Sequence, residues 1–479
     1  MNFNKKLAVA ISGAVLLMAG QFALADSTTD IVDALVSKGV LTEEEGKLIS
    51  KGHDSKKKAE GTVAFKDGFK INSGDGKSSF GIYGRIQLDS RHYQDTSGQN
   101  GTALNANIGD TFDLRRAYLG AKGTFKKYYD WEVVADLSQA ASSTSLGYTP
   151  LDVAYFNVNY WDKKAMFQFG QFKTPYSLEE RTSSRFIDFQ ERSFVNNTSL
   201  TPGKERGFMI HGTPSTGVNY ALAVTAGQGK NTNEVDHRED GKDIIVHLDT
   251  NLAEIMGNKE AVYHIGASYG MGDLPQAVQG AQRSEARGAE FFTTTAPTGG
   301  TSFERNRYNI ETVAAYGPVK LQGEYAKTSF EGTTIAGVSF DKEMSAFYAE
   351  ALWLLTGEKY ADSFKGGKFD RITPKNNFNP DFSNLGAFEL GMRYSEFDAS
   401  DIKLLNADAN SLVNMPVLAA GRTNKADAYT FGIMWIPDPY VRFLVNYVHT
   451  DYDTPVLWVT GGRDNDKEKA LIVRTQYDF

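Results

Sequence analysis

The stretch Asp113-Leu-Arg-Arg-Ala-Tyr-Leu-Gly-Ala-Lys-Gly123 decides the fold. Past its first residues, Ala117, Leu119 and Ala121 form one apolar row, and Arg116, Tyr118 and Lys122 form a second row that wants water. A period of two, with small and apolar residues on one side and charge on the other, is the pattern of a strand walling an aqueous pore through lipid. Strict alternation sends Arg116, Tyr118 and Lys122 into a lumen. It turns Asp113 and Arg115 outward with Ala117.

Working outward, strand-like stretches recur at 79–89, 113–123, 131–137, 152–160, 166–172, 207–213, 217–226, 243–252, 261–270, 306–316, 318–328, 342–354, 386–397, 426–436, 440–451 and 468–479. Sixteen is an even number, and many of these stretches approach the roughly 9 to 11 residues that cross a bilayer. Short turns, such as Lys126–Tyr129, Trp161–Lys164, Tyr316–Pro318 and Pro437–Pro439, alternate with long connections at 228–242, 273–305 and 401–425. Short turns on one side and long loops on the other is barrel logic. Segment 355–385 is the exception, long but on the short-turn side. In the last stretch Leu471, Val473, Thr475, Tyr477 and Phe479 share a face, as an interfacial aromatic girdle expects. The predicted fold is all-β: a transmembrane antiparallel barrel of about sixteen strands over 79–479, preceded by a short helical segment.

The N-terminus reads as an export signal. Lys5 and Lys6 precede an apolar core from Leu7 to Ala19, and Ala23-Leu-Ala25 fits a small-x-small cleavage site. Residues 1–25 are the expected signal peptide, and mature chain is expected from Asp26. Residues 26–60 carry a helix–turn–helix pattern, with Thr42-Glu-Glu-Glu45 resembling a helix start; this is the expected periplasmic segment. Residues 61–78 suit a linker or short hairpin. Beyond residue 25 no run approaches the roughly 18 to 20 apolar residues of a spanning helix. The chain has no cysteine, which excludes disulfides, thiol nucleophiles and cysteine metal sites. Its formal charge of −8 argues against nucleic acid as a partner.

Several stretches, spread in order over residues 80 to 479, resemble the phosphate-selective porin O/P family of Gram-negative outer membranes. They are Tyr83-Gly-Arg-Ile-Gln-Leu-Asp89, Leu114-Arg-Arg-Ala-Tyr118, Gly170-Gln-Phe-Lys-Thr-Pro-Tyr-Ser-Leu-Glu-Glu180 with Thr182-Ser-Ser184, Leu355–Tyr360, Gly386–Ser395 and Val445–His449. The resemblance implies a sixteen-stranded homotrimeric porin in outer-membrane lipid. Segments folded into the lumen would narrow each pore, and small inorganic anions, phosphate among them, would permeate. No cofactor or metal is implied. The resemblance also carries Arg115, Arg116 and Tyr118 onto positions lining the narrow zone and Arg85 onto the family's first-strand arginine, although alternation turns Arg115 away.

Parity places Arg85, Arg116, Arg442 and Arg474 on one arc of wall across the closing seam, with Lys122 lower down. It places Glu311, Glu324, Glu350 and Glu389 on the opposite wall, with Arg307 and Arg393 interspersed. Arcs of Arg and Lys line anion pores, and opposed charged walls create a field at a constriction. Segment 173–207 is the expected constriction loop, with Lys173, Arg181, Arg185 and Arg192 as its candidate anion contacts; a network pinning the loop to the wall is the alternative use of its charges. Segment 355–385 is a second candidate for the lumen, and 273–305 a third. The seven histidines are scattered without metal-ligand spacing, and no GxSxG or HExxH is present. The expected function is an anion-selective porin. A non-selective general-diffusion porin, an adhesive or structural outer-membrane protein and a barrel-embedded hydrolase are the alternatives.

Overall fold

Alternation is what lets a chain with no apolar run cross lipid, and the computed structural model realises it strand by strand. It describes residues 32, 35–49, 61–65, 68–94, 102–103, 109–138, 150–198, 200–227, 229–230, 242–274, 282–295, 303–333, 339–403, 417–457, 459–460 and 464–479. The expected signal peptide and the lysine-rich stretch after residue 50 lie outside the described residues, as do parts of the long connections.

The barrel strands are β1 Ser79–Tyr93, β2 Thr111–Phe125, β3 Tyr129–Asp136, β4 Leu151–Val158, β5 Met166–Lys173, β6 Lys204–Ser215, β7 Val218–Thr225 and β8 Asp243–Asn251. The second half is β9 Ala261–Leu274, β10 Phe303–Tyr316, β11 Val319–Thr333, β12 Ser339–Leu354, β13 Ala387–Asp398, β14 Lys425–Asp438, β15 Val441–Leu457 and β16 Asp464–Asp478. Each pairs antiparallel with its neighbour, and β16 returns to β1 with Ala470 opposite Tyr93 and Asp478 opposite Arg85. The result is a closed sixteen-stranded barrel, which leaves no edge with unpaired backbone groups. The strands reach further into the long loops than alternation indicated; β15, for example, runs on to Leu457.

At the seam, Gly84 N–H donates to the Phe479 carbonyl (2.8 Å) and Phe479 N–H donates back to Gly84 (3.1 Å). A Cβ on Gly84 would lie 2.4 Å from the Phe479 ring and 2.6 Å from the Tyr118 carbonyl, so the closure needs glycine there. The outer face carries Ile86, Leu119, Ile210, Val246, Ile310, Phe431 and Val473, all exposed. The inner face buries Arg, Asp, Glu and Gln. That inversion suits lipid outside and a polar lumen inside.

Three segments turn inward and fill the β9–β16 side of the lumen. They are the 174–203 connection, which contains the short helices Leu178–Arg181 and Phe194–Asn197, residues 282–295 and the 355–386 turn. Phe194, Phe291 and Phe292 pack against Phe330, Tyr348 and Phe397 in one apolar cluster. Leu178 and Phe189 join Tyr360, Phe364 and Phe369 in another, against Leu352, Met434 and Leu444. Fully burying one such side chain contributes about 1.5–3 kcal/mol, so apolar packing as well as charge holds these segments.

The N-terminal unit shows its expected helix start. Thr42 N–H donates to the Glu45 carboxylate (2.9 Å) and Glu45 N–H donates to Thr42 Oγ1 (3.2 Å), a reciprocal capping box opening helical residues 43–49. Two four-residue strands, Thr62–Phe65 and Phe69–Asn72, follow.

Candidate functional site

The Arg115-Arg116 pair breaks the alternation of β2. Asp113 accepts from Arg91 Nη1 (2.7 Å), and Arg115 bonds Glu191 through Nε (2.6 Å) and Nη2 (3.0 Å). Both partners belong to the lumen, so Asp113 and Arg115 point inward, against the outward orientation that strict alternation gives. Leu114 beside them is exposed. One residue on, Arg116 Nη1 donates to Gln87 Oε1 (2.9 Å), and Tyr118 lies under the Arg85 guanidinium, 4.1 Å from its ring centroid. Two successive residues on one face is the geometry of a β-bulge, which re-aims side chains at functional walls.

Glu191 organises the upper wall. Its carboxylate is reached by Arg115, by Arg474 Nη2 (3.1 Å) and by Arg91 Nη2 (3.6 Å). Burial alone would raise the Glu191 carboxyl, but the charges of Arg115, Arg116 and Arg474 outweigh it and hold it well below the usual carboxylate range. Arg474 also grips Asp89 through two contacts of 2.6 and 2.8 Å across the seam. The expected basic arc is thus divided. Arg115 and Arg474 are spent on carboxylates, whereas Arg85, Arg116 and Arg442 form no ion pair among the described residues; Arg442 sits over Phe186, 5.6 Å from its centroid. Lys122 lies 4.7 Å from the Tyr83 ring centroid.

The acidic wall is covered by the inward segments and anchors them instead of facing the pore. Glu324 accepts from the backbone N–H groups of Leu178 (3.1 Å) and Glu179 (2.7 Å), opening the first short helix of the constriction loop. Glu311 and Asp249 together hold Arg181, and Glu389 accepts from Tyr360 Oη (2.8 Å). Glu350 is buried beside Phe189 and Arg393, one of its oxygens lacking a partner. Arg307 pairs with Asp243 (2.8 Å), and Arg393 with Glu285 (2.7 Å) and Glu179 (3.3 Å). On β13 and β14, Gly391 and Gly432 leave room for the Phe189 ring, which a Cβ at either would approach to 3.0 Å. Removing one partner from such a buried pair leaves the other unneutralised, at about 3–5 kcal/mol.

Among the described residues, an open space of about 760 Å³, the candidate passage, lies along β1–β8, bounded by the constriction loop and by the hairpin tip of the 355–386 turn. Ten Lys and Arg side chains line it against five carboxylates. Four of the ten form ion pairs: Lys173 and Arg192 share Glu180 (3.8 and 3.2 Å), Lys204 pairs with Asp152 (2.7 Å), and Arg181 is held as above. The other six are Arg85, Arg116, Lys163, Arg185, Lys365 and Lys368, which form no ion pair among the described residues. Arg185 stacks between Tyr83 and Phe186, 5.4 and 4.9 Å from their centroids. The two remaining carboxylates are Glu132, which accepts from Tyr83 Oη, and Asp370. The lining of the passage therefore carries more cations than carboxylates.

Residues 80–479 match the sequence profile of the family described as phosphate-selective porin O and P. The chain belongs to that family. Porin O of Pseudomonas aeruginosa is 24% identical over 436 residues, covering 87% of this porin and 92% of that one. Among solved structures, an anion-selective porin from Comamonas acidovorans superposes with a TM-score of 0.51 at 10% identity, over 84% of this porin and all of that chain. The outer-membrane channel DcaP of Acinetobacter baumannii gives 0.50 at 11% identity, over 85% and 98% of the two chains. At these identities the superpositions speak for the barrel alone. This chain is an outer-membrane porin, a channel protein by family and fold.

Of the ten cations lining the passage of this porin, the candidates drawn from sequence include Arg85, Arg116, Lys173, Arg181, Arg185 and Arg192. Lys163 sits on the short β4–β5 turn, and Lys365 and Lys368 flank the inward hairpin tip. The one signal for the latter pair was the anomalous length of their turn. Glu191 went unassigned because it was one of several charges in its loop, and only the fold shows which arginines converge on it.

Proposed function

We propose that this porin passes small inorganic anions, phosphate-like ones first, down their gradients. The observation that carries this reading is the lining of the passage, where six cations without ion pairs stand against two carboxylates outside any. Arg85, Arg116, Arg185, Lys163, Lys365 and Lys368 would hand an anion along in steps. Distributed contacts of this kind favour conduction, because attraction must be strong enough to admit the ion yet weak enough to release it. Guanidinium groups offer planar two-point contact to phosphate. Tyr118, held beneath Arg85, would size the permeant. Membership of the phosphate-selective family supports the same class of ion.

The finer picture includes a homotrimer in the outer membrane, a signal peptide removed after Ala25 and a periplasmic segment at 26–60. The barrel's lipid face of apolar side chains supports the membrane placement, and the capping box at Thr42 supports a helical segment within 26–60. The deciding measurement is the reversal potential of the reconstituted porin in a KCl gradient, followed by titration with phosphate. Anion-side reversal and block of chloride current by phosphate are expected. A reversal potential near zero would instead make this a general-diffusion porin, and silent bilayers would favour an adhesive or enzymatic role.

A further inference from the structure

We propose that His247, Asp249, His264 and Glu311 form a site for a borderline divalent cation of the zinc class, and that Arg181 acts as its built-in competitor. The scattered histidines gave no metal signal along the chain, but barrel register brings two of them together. In the β8–β9–β10 ladder Asp249 lies opposite Gly266, and Gly266 lies opposite Glu311. Gly266 leaves a gap into which the Glu311 carboxylate leans; a Cβ there would lie 2.6 Å from Glu311 Oε1. His247 Nε2 stands 2.8 Å from Asp249 Oδ2 and 3.9 Å from Glu311 Oε1, and His264 Nε2 stands 2.9 Å from Glu311 Oε1. Ligand atoms around a tetrahedral ion with bonds of about 2.0–2.1 Å stand about 3.4 Å apart; ligand atoms of His247, Asp249 and Glu311 all lie within 4.8 Å of one another, with His264 beside Glu311 as the candidate fourth.

A second feature points to a missing ligand. His264 is fully buried, its Nδ1 has no hydrogen-bond partner among the described residues, and that atom faces Asp249 Oδ1 at 3.9 Å. Glu311 Oε2 is buried without a partner as well. His247 Nδ1 contacts Ser268 Oγ at 2.8 Å. A hydroxyl can donate or accept, so the imidazole can switch tautomer and present a lone pair at Nε2 without gaining or losing a proton. Two imidazoles and two carboxylates make a donor set that suits zinc better than magnesium or calcium, which prefer all-oxygen shells.

Arg181 now bridges both carboxylates, contacting Asp249 at 3.2 Å and Glu311 more closely. It is the sole Lys or Arg within 4.0 Å of either, among the described residues. One guanidinium against two carboxylates leaves a negative charge that a divalent ion would cancel. The site opens to water, since His247, Asp249 and Arg181 all line the passage. The hairpin tip closes over it, with Gly367 so near that a Cβ there would lie 2.5 Å from Asp249 Oδ2. An ion taking these ligands displaces Arg181, which becomes one more cation without an ion pair in the passage. Zinc binding is thereby coupled to selectivity.

The test titrates the full-length porin, purified in detergent, with zinc chloride by calorimetry, which reads binding without conduction and so stands apart from the anion-channel reading. Saturable uptake of one zinc per chain, not competed by millimolar magnesium, is expected. His247→Gln should weaken it by about tenfold or more, as loss of a ligand does. Arg181→Gln should tighten it several-fold, because it removes the competitor and no ligand. In bilayers, zinc should move the reversal potential further toward the anion limit, and chelation should restore it. Absence of saturable binding, binding that His247→Gln leaves unchanged, or weaker binding by Arg181→Gln would each overturn the proposal.

Discussion

Arg116→Glu is the most exposing perturbation of the conduction path. Arg116 lines the passage, and its guanidinium hydrogen-bonds the neutral Gln87 and forms no ion pair among the described residues, while sharing the field of the nearby Glu191 with Arg115 and Arg474. At an effective dielectric of about 40, an anion about 6 Å away gains about 1.4 kcal/mol. Screening over that distance at about 0.1 M salt leaves roughly half. Reversing the sign doubles the change, to about 1.5 kcal/mol, or about tenfold in anion occupancy at that point. The assay is the reversal potential of the reconstituted porin in a KCl gradient, which should move toward the cation limit by tens of millivolts. Phosphate block of chloride current should weaken in parallel. Arg116→Gln should give about half the free-energy effect. If neither variant shifts the reversal potential while both insert and conduct, Arg116 is not on the ion path and the cation-rich lining is not what selects.

Lys368→Glu at the inward hairpin tip should act in the same direction and add to Arg116→Glu, since the two sit on different segments; bilayer selectivity of the double variant checks this. Glu191→Gln should destabilise the loop by about 3–5 kcal/mol by leaving Arg115 and Arg474 under-neutralised, read as a fall in thermal unfolding temperature. The pH dependence of that difference has a fixed sign. The Glu191 carboxyl is depressed in the folded protein, so its stabilisation is complete above the unfolded value of about 4.3 and lost only as pH falls through the lower folded value. The gap between wild type and variant should therefore be constant from pH 7 to 5 and close in stronger acid. Gly84→Ala should cost about 1–3 kcal/mol through overpacking against Phe479 and Tyr118, seen as loss of the heat-resistant folded form on electrophoresis.

Barrel architecture was legible because it is written at a period of two, and lipid outside enforces that period on every strand. Leu119 and Ile310 face out, and Arg85 and Glu311 face in, as their parity requires. Loop lengths marked the inward segments for the same local reason, that a short turn needs few residues. The Arg115-Arg116 break was visible only as a conflict between parity and family resemblance. A bulge is a register event between strands and leaves no fixed residue signature.

What the sequence by itself determined is the wall of this porin: sixteen strands, their order, and, away from the Arg115-Arg116 break, the alternation that turns side chains into the lumen. The tertiary structure decided which of those side chains meet a permeating ion. Glu324 and Glu389 are lumenal by parity, yet inward segments cover them and use them as anchors, while Lys365 and Lys368 come from a turn to line the water. The physical reason is that ion pairing depends on separations of a few ångströms between residues far apart in the chain. Arg115 and Glu191 meet across 76 positions, and Arg181 and Glu311 across 130. Periodicity tells a residue which way to face, but only packing tells it whom it will face.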